Sequence, residues 1–341
     1  MPGKHSRRLP AALVVAVAAL ALAACGDQYP NSTFTHLTDL NTATDALWNR
    51  LLLFGTIVFV FVEVLLLVTI FKFRKRPDSP EPKQIHGHAV LEITWTAIPA
   101  LILVLIAVPT VQTIFKTQAK AATGSLQVEV IGHQWWWEFQ YPDDGIVTGS
   151  DMVIPTGKPI IVEITSVDVI HSFWVPMLAG KMDAIPGRNN RMYLEADREG
   201  VYSAQCAEFC GIEHALMRFD VVALAPDAYE KWRTVHKTAP AEPSTTSTDP
   251  SIVLQARGAQ LFQAGACKTC HAIDGTAANG KVGPNLTYFA GRTSVAGKTL
   301  PNTVENVKAW LRNPQAIKPG SLMPNLNLKE EEVDALTAYL C

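Results

Sequence analysis

Sulfur and imidazole side chains are concentrated in a short stretch near residue 210. Two cysteines, a histidine and a methionine lie within twelve residues, at Cys206, Cys210, His214 and Met217. His171 stands 35 residues before Cys206, just after a run that predicts a β-strand. Thiolate and thioether ligands beside imidazoles select copper over hard cations. The stretch therefore predicts a copper site.

Two other interpretations of this cluster stay open on spacing alone. Zinc would be satisfied by two cysteines and two histidines, because it prefers four tetrahedral ligands. That interpretation leaves Met217 unused, whereas two coppers sharing both thiolates could use all five side chains. The second alternative is a disulfide between Cys206 and Cys210, which would be stable outside the cytoplasm.

A second chemical motif, C-x-x-C-H, lies at Cys267, Cys270 and His271. In this pattern the two thiols attach a haem covalently, and the adjacent histidine binds its iron. A zinc site is disfavoured because no histidine follows His271 in the sequence. Met323, 52 residues further on, is the last methionine of the chain, and histidine–methionine ligation is typical of electron carriers. We therefore predict a covalent haem c with Met323 as the second axial ligand.

The elements that position these motifs form two domains joined by a linker. Short β-rich runs at 127–131, 160–165, 191–194 and 219–224 are separated by Gly and Pro, which predicts a β-sandwich or barrel. Residues 238–251 are mostly Ala, Pro, Ser and Thr, a composition typical of a linker. Helical patterns at 252–264 and 329–340 flank a glycine-rich middle. We place the copper domain at 121–237 and an all-α haem domain at 252–341.

The composition indicates a membrane protein. Hydrophobic residues make up 48% of the 341 residues and charged residues 18%, with a mean hydropathy of +0.13. Apolar runs at 51–71 and 93–115 are each long enough to cross about 30 Å of hydrocarbon. Four basic residues at 72–76 follow the first run, and basic residues stay in the cytoplasm. We predict a transmembrane hairpin over 25–120, with helices at about 49–71 and 92–115, that places both domains outside.

The first 24 residues predict a secretory signal. A basic start precedes an apolar run that is too short to span a bilayer comfortably. The segment LAACG at residues 22–26 resembles a bacterial lipobox, which implies cleavage before Cys25 and lipidation of its thiol. An ordinary cleavage site beside a chance cysteine is the alternative. The predicted location is the bacterial plasma membrane, and the net charge of −2 gives no electrostatic reason to expect nucleic acid as a partner.

Residues 30–225 resemble cytochrome c oxidase subunit two over nearly their whole length. The motifs that carry the resemblance are the copper cluster, the segment EITWTAIP at 92–99 and the segment GHQWWW at 132–137. The family implies a cupredoxin-like β-barrel for the copper domain. The terminal helices and the segment GPNL at 283–286 resemble a class I cytochrome c.

The resemblance also implies the roles of individual residues. Cys206 and Cys210 would bridge both metals of a binuclear copper A centre. Its further ligands would be His171 and His214, one on each copper, with Met217 and the backbone carbonyl of Glu208. The Glu208 side chain would approach a magnesium ion shared with subunit one.

Three more roles follow from the same resemblance. Trp135 matches the aromatic residue at which electrons enter from an external cytochrome, although a Trp belt or a packed strand would also explain this aromatic run. Glu92 matches a carboxylate at the mouth of a proton-uptake channel. The carbonyl of Pro284 would accept the ring N–H of His271 and orient it.

A copper domain fused to a cytochrome c resembles the caa-type oxidases. The implied function is that of subunit two of a haem–copper terminal oxidase. It would relay electrons from an upstream cytochrome or bc-type complex, through haem c and copper A, to subunit one. There oxygen would be reduced to water, coupled to proton translocation. Other oxidase subunits and membrane lipid are the further expected partners.

Rival functions differ in what they require of the sequence. A quinol oxidase subunit should lack Cys206, Cys210 and His214, which are present. A nitrous oxide reductase needs a further histidine-rich copper domain, which nine histidines cannot build. The copper A subunit of a nitric oxide reductase and a membrane-anchored copper and haem electron carrier stay open. Glu63 and Cys341 are assigned no role.

Overall fold

The computed structural model describes residues 15–17, 19, 31–34, 37–77, 80–81, 83–118 and 124–341. Within these residues the predicted multidomain fold class is confirmed. Two long apolar helices precede a cupredoxin-like β-sandwich, and an all-α domain with one small hairpin ends the chain. Most of the predicted signal segment 1–24, and Cys25, lie outside the described residues.

The two apolar helices are longer than the sequence predicts. Helix α1 spans Asp39–Lys72 and α2 spans Ala89–Thr117, and both have the length and composition to cross a membrane. The start of α1 differs from the predicted residue 49 because hydropathy detects the apolar run and not the polar turns before it. Thr38 caps those turns, its hydroxyl accepting the Asn41 N–H at 3.1 Å. The Thr38 hydroxyl also donates to the Leu178 carbonyl at 3.0 Å, which ties the helix to the β-sandwich.

Ten strands form the β-sandwich. They are β1 Gln127–His133, β2 Trp136–Tyr141, β3 Ile146–Gly149, β4 Asp151–Pro155, β5 Ile160–Ser166, β6 His171–Trp174, β7 Lys181–Ala184, β8 Asn190–Leu194, β9 Gly200–Cys206 and β10 Arg218–Leu224. One sheet has the order β3-β2-β1-β5-β8 and the other β4-β10-β9-β6-β7. All four predicted β runs lie in strands, at β1, β5, β8 and β10.

Between the two sheets lies a core rich in aromatic residues. Alternate residues of β1 and β5 point inward, as the burial of Val128 and Val130 in β1 shows. At the centre, Trp137 packs edge-on against Phe173 with ring centres 5.9 Å apart, and Phe173 stacks on Phe219 at 4.9 Å. Trp137 and its neighbour Trp136 are thus buried strand residues. A membrane belt does not account for them.

Helix α3, Pro226–His236, follows β10 and was not expected from the sequence. Its last turn is fixed to the β2–β3 turn, because Arg233 and the following Lys237 both bind Asp144, at 2.6 and 2.8 Å. The Arg233 hydrogen bond lowers the pKa of the Asp144 carboxyl. This helix returns the chain to the sandwich before the linker begins.

The C-terminal domain is built from five helices. They are α4 Pro250–Ala264, α5 Cys267–Cys270, α6 Val304–Arg312, α7 Pro314–Ile317 and α8 Glu330–Leu340. A two-residue hairpin, β11 Ser294–Val295 and β12 Leu300–Pro301, interrupts them. The two predicted helices correspond to α4 and α8. Helix α4 begins at Pro250, inside the predicted linker, because the Asp249 carboxylate caps its first turn at the Ser251 N–H.

Helices α4 and α8 cross in direct backbone contact. A Cβ atom on Gly258 would lie 2.0 Å from the Ala335 carbonyl oxygen and 2.7 Å from Tyr339 Cβ. Because backbone cannot move aside as a side-chain tip can, only glycine permits this crossing.

We expect Gly258→Ala to destabilise the C-terminal domain by about 1–3 kcal/mol, since overfilling a packed contact forces the helices apart. Thermal unfolding of the domain, followed by circular dichroism, should show a lower Tm. Gly291→Ala is the matched control, because a Cβ there meets no atom within 4 Å. Equal Tm values for the two variants would contradict this account of the crossing.

Candidate functional site

Two free thiols form the centre of the first site. Cys206 ends β9 and Cys210 lies in the loop that follows, and their sulfur atoms are 3.8 Å apart. The side chains are only 5% and 3% exposed. Both cysteines are free, so the disulfide interpretation is not what the structure shows. A metal ion about 2.3 Å from each sulfur could bridge two thiols at this separation.

The other donors divide into two sets, one around each thiol. Cys206 Sγ lies 4.0 Å from His171 Nδ1 and 3.3 Å from the Glu208 carbonyl oxygen. Cys210 Sγ lies 3.6 Å from His214 Nδ1 and 3.7 Å from Met217 Sδ. Each set thus holds one sulfur, one imidazole and one weaker donor. This arrangement fits two soft ions that share both thiols better than a single tetrahedral zinc, which would leave the third donors unused.

His171 is held with one ring nitrogen towards the thiols. It is fully buried, and its Nε2 lies 2.8 Å from Asp168 Oδ1, which leaves Nδ1 to face Cys206. A Cβ on Gly132 would lie 2.7 Å from His171 Cδ2, so the glycine makes room for the ring. A carboxylate behind a ligand histidine fixes its tautomer and orientation.

The charges of the site favour metal binding. The hydrogen bond from Cys210 is the main reason that the pKa of Cys206 falls to about 3. The Cys206 thiolate in turn raises the pKa of the Cys210 thiol. Burial opposes protonation of His171, but its hydrogen bonds to Cys206 and Asp168 outweigh burial and raise its pKa. The pair therefore holds one ready thiolate and one proton that a bound metal would displace.

The second site is a cavity of about 270 Å³ in the C-terminal domain. Cys267, Cys270, His271 and Met323 all line it, among mostly apolar side chains. The His271 Nδ1 lies 2.8 Å from the Pro284 carbonyl oxygen, so Nε2 is the nitrogen left for iron. A Cβ on Gly283 would lie 2.4 Å from His271 Cε1. The residues present therefore fit a covalent haem with histidine and methionine ligands.

The copper-side domain forms one wall of this cavity. Gln134, Trp135 and Trp136 line it together with the C-terminal residues. The Trp135 indole N–H also donates to the Cys210 carbonyl at 3.0 Å, and the Gln134 amide donates to the same oxygen at 2.8 Å. Trp135 thus contacts both candidate sites.

Models of three protein families match successive parts of the chain. They are cytochrome C oxidase subunit II, transmembrane domain, over residues 37–113, cytochrome C oxidase subunit II, periplasmic domain, over 146–224, and cytochrome c over 255–341. A cytochrome c oxidase subunit 2 of Alkalihalophilus pseudofirmus is 41% identical over 291 residues, which cover 83% of this chain and 82% of that protein. The chain belongs to the cytochrome c oxidase subunit 2 family.

A second relative agrees with this assignment, and one solved structure is similar to part of the chain. The cytochrome c oxidase subunit 2 of Bacillus subtilis is 33% identical over 361 residues, covering 99% of this chain and 97% of that protein. The chain is also similar to the periplasmic domain of subunit II of cytochrome oxidase of Bradyrhizobium japonicum, known from a crystal structure. The sequence identity is 32%, the match covers 35% of this chain and 96% of the Bradyrhizobium chain, and the TM-score is 0.33.

Glu92 is predicted to lie at the mouth of a proton-uptake channel. Within this chain, it helps to cap a helix. It lies in the first turn of α2, where its Oε1 accepts the His88 N–H at 3.1 Å. His88 Nδ1 accepts the Leu91 N–H at 3.3 Å in return. The two side chains thus cap the helix reciprocally. The role of Glu92 in proton uptake stays a prediction.

Sequence reasoning missed the residues that support the ligands of this subunit. Asp168 precedes His171 by three positions, and an acid so close to a candidate ligand was a usable signal. Gly132 lies in the quoted GHQWWW segment but was assigned no role. Lys318, whose ammonium group reaches the copper domain, has no local sequence signal.

We expect Asp168→Asn to weaken copper retention by about 10- to 100-fold, because outer-shell partners of ligand histidines have effects of this size. Copper retention against a chelator would be measured on the purified protein. Asp183→Asn provides the control, as Asp183 is an exposed residue of β7. Unchanged retention in Asp168→Asn would show that the Asp168 contact does not support the site.

Proposed function

We propose that the chain is the electron-accepting subunit of a haem–copper terminal oxidase. It takes electrons from an external donor at the C-terminal domain and passes them, by way of the copper domain, to subunit one, which reduces oxygen to water coupled to proton translocation. The observation that carries this proposal is the pairing of two donor sets around one pair of thiols. The haem cavity that shares Trp135 with this site supports it.

The residues of the copper domain would hold a binuclear copper A centre. Cys206 and Cys210 would bridge both ions, His171 with the Glu208 carbonyl would complete one set, and His214 with Met217 the other. A thiolate-bridged copper pair and a covalent haem each take up and release single electrons. Cys206, Cys210 and Met217 are buried, and with two sulfurs, one imidazole and one weaker donor each ion would already have four ligands. Such a closed set of ligands fits a relay and not a site of catalysis.

In the C-terminal domain, Cys267 and Cys270 would attach the haem and His271 would bind its iron. Pro284 holds the histidine ring, and the Gln315 side-chain amide donates to the Met323 carbonyl at 3.0 Å. Met323 is half-buried against the core of this domain. These contacts fix the His271 ring and the backbone of the segment that carries Met323.

The remaining parts of the proposal concern the membrane and the partners. The two helices, with basic residues at 72–76, would place the linked domains on the external side of the bacterial plasma membrane. Cys25 would carry lipid. The exposed Glu208 carboxylate would approach a magnesium ion at the boundary with subunit one. The donor would be an upstream cytochrome or a bc-type complex.

Metal analysis of the purified full-length protein tests the copper assignment. Two coppers per chain are expected, with the EPR signal of a mixed-valence pair. Cys206→Ser should abolish that signal, because one of the two bridging sulfurs is removed. Cys341→Ser, at an exposed cysteine, should leave it intact. One zinc per chain, with no copper, would refute the proposal.

The haem ligand is tested separately by Met323→Ala. Loss of the thioether should open the sixth position, so the optical spectrum should change from low-spin to high-spin while the haem stays covalently attached. Met192→Ala, in strand β8 of the copper domain, should keep the wild-type spectrum. A low-spin spectrum in Met323→Ala would show that another residue binds the iron.

A further inference from the structure

The tip of the β11–β12 hairpin inserts into the copper domain. Its residues Ala296, Gly297 and Lys298 all have left-handed backbone, with φ of 57°, 69° and 63°. The Gly297 carbonyl accepts the Arg218 N–H of β10 at 3.2 Å. A Cβ on Gly297 would lie 2.8 Å from the Leu216 carbonyl oxygen. Residues 293–299, called here the docking loop, thus lie against the strand that follows the copper ligands.

Buried carboxylates of the copper domain bind both sides of the docking loop. Asp151 accepts the Thr293 N–H at 2.8 Å and the Thr293 hydroxyl at 3.1 Å. Lys298 pairs with Asp220 and donates to the Ser203 hydroxyl at 2.8 Å. The loop is therefore bonded along its length, and not through its tip alone.

Lys318 supplies a buried positive charge to this interface. It follows α7 and is 4% exposed. Its ammonium group donates to three backbone carbonyls, those of Trp135 at 3.0 Å, Leu216 at 3.0 Å and Ala296 at 3.3 Å. An ammonium group has three donors, so all of them are used. Glu213, itself buried on the copper loop, provides opposite charge nearby.

The three carbonyls belong to three different parts of the site. Trp135 lies between the two candidate sites, Leu216 directly precedes the ligand Met217, and Ala296 lies in the docking loop. On its own side, Lys318 follows the helix that carries Gln315, which binds the Met323 carbonyl. One side chain therefore joins the segment that holds the proposed haem ligand to the loop that holds the copper ligands.

We propose that Lys318 is a positioning residue that fixes the haem domain on the copper domain in one orientation for electron transfer between them. The electron-transfer half of this inference rests on the proposed function, whereas the docking half does not. Lys318 also lines the haem cavity, but its three hydrogen bonds go to backbone carbonyls and not to the side chain of a proposed metal or haem ligand. It acts through the backbone, where removal of the charge leaves three carbonyls without their donor.

Hydrogen exchange of the full-length holoprotein tests the docking half, with Lys318→Met as the variant. This change keeps the chain length and removes the charge. Peptides with the Arg218 and Thr293 amides, which bond across the interface, should exchange about tenfold faster. Peptides from α4 and α8 should keep their protection. Lys308→Met is the control, because Lys308 pairs with Asp334 within the haem domain at 2.7 Å.

The rate of electron transfer from haem to copper, after rapid reduction of the haem, tests the second half. We expect it to fall about tenfold in Lys318→Met and to stay at the wild-type value in Lys308→Met. Unchanged interface exchange or an unchanged rate in Lys318→Met would overturn the inference. Faster exchange in α4 and α8 would overturn it too, since Lys318 would then serve folding. Absence of transfer in the wild type, with a protected interface, would instead refute the proposed function.

Discussion

The pairing of β6 with β9 is the constraint on which the rest of the structure depends. Phe173 pairs with Cys206, and Trp174 with Gln205, in antiparallel register. This register brings His171, at the start of β6, beside the thiol at the end of β9. The Cys206 N–H donates to the Met217 carbonyl at 3.0 Å, so the loop that carries the other ligands is closed at its base. A slip of one residue would turn His171 to the opposite face of the sheet.

The core behind this pairing makes the site rigid. Trp137, Phe173 and Phe219 pack on one another directly beneath the ligands, and the Trp137 ring meets the His171 ring edge-on at 5.8 Å. Removal of one such aromatic side chain costs about 3–5 kcal/mol. His171, the proposed ligand, is thus supported by the same packing that stabilises the sandwich. The proposed electron relay would benefit from such support, because little would need to move when its charge changes.

How far the sequence predicts this molecule depends on the range of the interactions involved. Motif spacing predicted Cys206, Cys210, His214 and Met217 as one site, because they lie within the short stretch from the end of β9 to the start of β10. Strand patterns found β1, β5, β8 and β10, and in β1 and β5 buried residues alternate with partly exposed ones. The predicted start of α1 was too late in the sequence, because the residue that begins the helix is the polar cap Thr38, which lies before the apolar run. The docking contacts of Lys318 could not be predicted, since its three partners are backbone carbonyls, which any residue supplies.

The linker and the interface act together. The sequence predicts a flexible tether over 238–251, and the structure lays part of it on the haem domain, where Glu242 accepts the Tyr339 hydroxyl at 3.0 Å. A short tether raises the effective concentration of one domain at the other to about millimolar, so an interface of a few polar contacts is enough to keep them together. The same docking places the haem cavity over one face of Trp135. Since the haem domain covers that face, in the proposed function a soluble donor would deliver its electron to the haem domain itself.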